Sequence, residues 1–150
     1  MTSVTVGDVL DHARKFENAL ADYYDSVSKK AAKVGVVMLT NYMSRHRRRI
    51  DDFLSKRDPK EMRRIRSIPL PFDPEAANCK CFDRVGVTED DPASHVLDVA
   101  ITLDECLIKL YKQAADEAHD PEVRELFQSL LRAEERDEIQ MKKIKATNYF

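Results

Sequence analysis

Shifted by 87 residues, the chain aligns with itself without a gap. Val9, Leu10, Asp11 and Ala13 meet Val96, Leu97, Asp98 and Ala100, while Leu20, Tyr24 and Ala31 meet Leu107, Tyr111 and Ala118. Val36 and Leu39 meet Val123 and Leu126, and Arg45 and Arg49 meet Arg132 and Arg136. Glu17 lands on Asp104, acid on acid, each seven residues before a tyrosine. Heptad-like patterns align easily, so the repeat needs support from the pattern within each half.

That support is a seam of alternating three- and four-residue steps, the spacing of a helix with one buried face. Val6, Leu10, Ala13, Glu17, Leu20, Tyr24, Val27 and Ala31 predict a helix over about 6–32. Thr5 is its expected N-cap, with Asp8 three residues on. Gly35 reads as the break. Val36, Thr40, Met43, Arg47, Ile50 and Leu54 predict a second helix over about 36–56, ending before Pro59. Leu97, Ala100, Asp104, Leu107, Tyr111, Ala114 and Ala118 predict a third over about 93–118, with Asp91 or Ser94 near its cap. Asp120 and Pro121 are a restart signal. Val123, Phe127, Leu130, Glu134, Asp137, Met141 and Ile144 then predict a fourth over about 121–145. The stretch from about 57 to 92 holds all but one of the prolines and reads as a crossover with at most a short helical turn. The expectation is an all-α chain, one four-helix bundle over 1–150, built as two hairpins joined by a long crossover.

The charge balance, 25 basic against 27 acidic residues in 150, supplies no global pull toward nucleic acid or membrane. Neither a signal peptide nor a run of about 18 apolar residues is visible. Three cysteines, two of them one residue apart, make no disulfide framework, and a reducing cytoplasm is the simple reading. Cys79 and Cys81 form a weak metal signal in the crossover.

The seam carries charges where a bundle expects apolar groups: Glu17, Arg47, Asp104, Glu134 and Asp137. Arg47 belongs to the basic block "RHRRR" at 45–49. A bland reading puts these acids on solvated faces one register away. Arg45, Arg48 and Arg49 then form a solvated face with Asp51 and Asp52, and His46 is a packed or rim histidine. Tyr24 and Tyr111 read as core fillers. The apolar neighbours of each acid argue for the seam instead.

With those residues, the chain resembles the ferritin-like superfamily, its rubrerythrin-like branch in particular, over about 5–56 and 92–146. The family pattern places a Glu seven residues before a Tyr, then Glu-x-x-His on the next helix, in each half; these hold a di-iron or di-manganese centre. By that resemblance Glu17 and Asp104 match the first-position acids, Glu134 matches the fourth-helix Glu, and Asp137 stands where its His would be. On the second helix Arg47 takes the Glu position and Ile50 the His position. No rubredoxin-like Cys-x-x-Cys pair follows.

The candidate metal residues are therefore Glu17, Asp104, Glu134 and Asp137. A guanidinium at Arg47 would substitute for metal charge by pairing with Glu17 and Glu134. The half-site of Asp104, Glu134 and Asp137 suits at most one weakly held divalent ion, Fe or Mn by resemblance. The expected function is a degenerate, non-catalytic binding or regulatory module, a homodimer pairing through spare apolar residues such as Val37, Leu39, Leu131 and Ile139. No membrane or nucleic-acid partner is expected. The alternative is a metal-binding oxidoreductase or metal-storage relative with a modified carboxylate site.

Overall fold

The computed structural model describes residues 4–46, 49–71 and 90–146. A two-residue strand, β1 (Val4–Thr5), leads into α1 (Val6–Lys30). Then come α2 (Val34–His46), α3 (Arg49–Ser55), α4 (Pro59–Arg66) and a second short strand, β2 (Pro69–Leu70). α5 (Ala93–Glu117) and α6 (Pro121–Ala146) complete the chain. α1 packs chiefly on α2 and α5 on α6, giving two helical hairpins around one apolar core.

The repeat is visible in the helix ends themselves. α5 begins and ends 87 positions after α1, and α6 begins 87 positions after α2. Ala31 and Ala118, matched in the repeat, both cap their helices with extended backbone. Matched core residues are buried together: Leu10 with Leu97, Leu20 with Leu107, Tyr24 with Tyr111, Val36 with Val123.

The start of α1 follows its sequence signal. Thr5 N–H donates to Asp8 Oδ2 at 3.0 Å, and Asp8 N–H donates to Thr5 Oγ1 at 3.1 Å, a reciprocal capping box. Its hydrogen bonds with Thr5 hold the Asp8 carboxyl below the ordinary range. At α6, Asp120 accepts from Glu122 N–H at 2.9 Å and Val123 N–H at 3.2 Å. Those bonds, that of Val123 foremost, hold Asp120 below the ordinary range too. α5 differs: its N-cap is Pro92, which makes no side-chain bond, with Asp91 just before it and Ser94 two residues after.

Three features depart from the sequence reading. Gly35 does not end a helix; α1 stops at Lys30, and Gly35 lies in the first turn of α2. The second helix is described as α2 and α3, either side of residues 47–48. Arg47 lies outside the described residues, as do Cys79, Cys81 and half of the crossover, residues 72–89.

The crossover also opens with more structure than a single turn. Asp58 caps α4 by accepting from Lys60 N–H at 3.0 Å, with Pro59 at the first helical position. Beyond α4, Val6 N–H donates to Ile68 O at 2.8 Å, and β1 pairs antiparallel with β2, Val4 opposite Leu70. Arg66 grips Asp11 through both carboxylate oxygens at 2.9 Å, and Arg64 reaches Glu122 and Asp120. This segment therefore ties the start of α1 to the start of α6. Gly7 permits the close approach, since a Cβ there would stand 3.1 Å from Arg66 O.

Of the apolar residues expected to be spare, Leu39 belongs to the core, Val37 and Leu131 are half-buried, and Ile139 is exposed. No helix among the described residues is long and apolar enough to cross a membrane.

Candidate metal centre

The three-and-four seam decides what each helix brings to the bundle interior. α1 brings Glu17, α5 brings Asp104 and α6 brings Glu134, with 2%, 0% and 2% of their surface exposed. Charged side chains are almost never buried to this degree without a partner, because moving an ion out of water costs several kcal/mol. The register read from sequence therefore holds for these three, and the solvated-face reading does not. Asp137 is different. It is half-buried and lies at the rim of two surface grooves on α6. One is lined by Leu39, Met43 and Met141, the other by Phe53, Arg132 and Arg136.

The second-helix side of the centre is carried by Ile50, fully buried at 1% exposure. Its side chain has no ligating atom. Its backbone N–H donates to Glu17 Oε2 at 3.1 Å, a contact that the sequence pattern does not announce. A carboxylate held by an N–H donor is charge-assisted and strong. A divalent ion taking that oxygen lone pair would have to displace the donor. Among the described residues, no three of His, Cys, Asp and Glu are gathered so that they could hold a metal ion. The described residues thus do not fit a di-metal centre.

Hydroxyl and amide groups flank the centre on the first hairpin. Ser44 donates to Asp25 Oδ1 at 2.6 Å, Ser28 donates to Asn41 Oδ1 at 2.8 Å, and buried Thr40 donates to Val36 O at 2.8 Å. Sequence reasoning placed Thr40 on the seam but found none of these links, since a serine or asparagine on a helix carries no mark of its partner.

No family model matches the chain, and no curated protein matches it. Among solved structures, it is similar to the crystal structure of a Thermotoga maritima protein provisionally assigned as a ferritin-like diiron-carboxylate protein. The TM-score is 0.57 at 16% identity, with 97% of each chain covered. At that identity the likeness concerns the fold: this is an all-α chain with the architecture of a ferritin-like bundle.

Proposed function

We propose that this chain is a ferritin-like bundle that has given up its metal centre and serves as a non-catalytic binding or regulatory module. The observation that carries the reading is Ile50. The family pattern asks for an imidazole there, and the chain supplies a buried aliphatic side chain and an N–H that donates to Glu17. The other second-helix position of that pattern is Arg47, a residue that stays cationic at any working pH and cannot ligate a metal. A cation in sequence and an N–H in space thus stand where two ligands are needed, and both are partners a carboxylate accepts without metal.

A second reading is favoured by the burial of Asp104 and Glu134. Carboxylates from α5 and α6 in a bundle interior are oxygen donors of the kind a hard divalent ion takes, and a third would have to come to them on binding. On that reading the chain is a metal-binding oxidoreductase or metal-storage relative with a modified carboxylate site.

Calorimetric titration of apo protein with Mn²⁺, and with Fe²⁺ under anaerobic conditions, separates the two. The metal-free module shows no saturable binding at micromolar metal. Binding of one ion per chain, lost in Glu134→Gln, supports the second reading and overturns the first.

A further inference from the structure

Between α3 and α6 lies a groove of about 540 Å³, within the range of small-molecule sites. Phe53 of α3 and Leu130 of α6 give it apolar walls, and Ser129, Arg132, Arg136 and Asp137 bring polar groups. Arg132 and Arg136 stand one turn apart on α6, about 6 Å along the axis. Like charges at that spacing weaken a helix, and an anion between them relieves the cost. Elsewhere in the fold arginines meet acids: Arg14 holds Asp51, Arg64 holds Glu122 and Arg66 holds Asp11. Among the described residues, neither Arg132 nor Arg136 pairs with a carboxylate; Arg132 donates instead to Ser129 Oγ at 3.2 Å. A third guanidinium, that of Arg57 just past α3, lies 4.9 Å from the centroid of the Phe53 ring. It too has no carboxylate partner among the described residues, the acids of α3 being held by Arg14 and Lys56.

We propose that this groove binds a phosphate monoester with an apolar or aromatic body, its phosphoryl group between Arg132 and Arg136 and its body against Phe53. A guanidinium offers paired N–H donors that match phosphate oxygens two at a time. Two guanidiniums one turn apart attract a dianion more strongly than the single charge of a carboxylate. The Ser129 hydroxyl accepts from Arg132 and keeps its own proton to donate to the same oxygens. Phe53 supplies apolar ring surface for the body, and Arg57 over that ring raises the positive potential of the wall.

Asp137 sets the limit on what enters. Its carboxylate lines the same groove and repels a second anionic group, so a ligand with one charged end is favoured over a polymer charged throughout. The net charge of −2 acts in the same direction. Glu17, Asp104 and Glu134 take no part, so the proposal is independent of whether the bundle interior holds metal.

Calorimetric titration of the full chain with phenyl phosphate tests the proposal, with chelator present so that no metal bridges to the phosphate. Phenyl phosphate should bind saturably, one per chain, in the millimolar range or tighter. It should bind more tightly than inorganic phosphate, which has no body to place on Phe53. R132Q and R136Q should each weaken it about tenfold, the loss of a charge-assisted hydrogen bond. F53L should bring phenyl phosphate down toward inorganic phosphate. Circular dichroism establishes that each variant is folded. No saturable binding of phenyl phosphate overturns the proposal, as does binding indifferent to both R132Q and R136Q. A folded F53L that keeps the full preference for phenyl phosphate overturns the placing of the body. A short oligothymidylate that binds more tightly than phenyl phosphate and is lost in the arginine variants overturns the proposal in favour of a nucleic-acid surface.

Discussion

The two hairpins share a plan and differ in their second helices. α1 and α5 are both 25 residues long and stand in register through acid, tyrosine and cap. Their partners diverge. α6 runs from Pro121 to Ala146 and buries Phe127 and Leu130 at the positions where α2 has Thr40 and Met43. The ring of Phe127 lies 6.4 Å from that of Tyr111, whereas the matched Tyr24 sits 5.8 Å from its own neighbour Tyr23. The second hairpin closes on aromatic and aliphatic contact, and the first adds hydroxyl links between its helices at Ser44 and Ser28, while Thr40 bonds within α2. The helices α1 and α5 thus share one geometry, while their partners α2 and α6 do not.

The comparison breaks most visibly at Phe127. Phe127→Ala should cost about 3–5 kcal/mol through lost burial and the cavity left behind. Thr40→Ala, the matched change, should cost only about 1 kcal/mol, one buried hydrogen bond and a methyl. Urea unfolding measures both, and equal costs would show that the hairpins are held alike. Ser44→Ala, which removes the bond to Asp25, should likewise cost about 1 kcal/mol. Smaller effects sharpen the contrast at the helix starts. Thr5→Ala should cost at most about 1 kcal/mol, since it removes the cap of α1. Ser94→Ala at the start of α5, where no side chain caps the helix, should change nothing measurable.

The smallest effect concerns acid. Asp8 and Asp120 are held below their ordinary value of 3.8 by hydrogen bonds to Thr5 and to Val123 and Glu122. Folding therefore favours their ionised forms. Their contribution is complete above about pH 3.8 and is lost as the pH falls through the lowered values. D8N and D120N should flatten the fall of melting temperature below that pH and leave the neutral range nearly untouched. A slope unchanged in both variants would assign the acid sensitivity to other carboxylates.

Much of this was legible in the chain. The seam placed Glu17, Asp104 and Glu134 in the interior because apolar neighbours at three- and four-residue steps fix a helix's rotation. The same reasoning placed Asp137 inward too, but one further turn carries it to the rim. Gly35 misled, since a glycine near a turn reads as a breaker although the chain reverses at 31–33. The strand pair was hidden because it joins residues some 65 apart, Val4 to Leu70, whereas α4 starts on a local Asp58–Pro59 signal like that of α6. The amide of Ile50 was hidden because sequence patterns describe side chains, and the donor there is backbone.

The role of the bundle interior turns on whether its carboxylates hold metal. Elemental analysis of protein purified without chelator from iron- and manganese-supplemented cells should find far less than one metal per chain. The double variant R47E/I50H, which restores both ligand types to the second helix, should acquire iron. Two metal ions per wild-type chain, or a double variant that gains none, would contradict the metal-free reading.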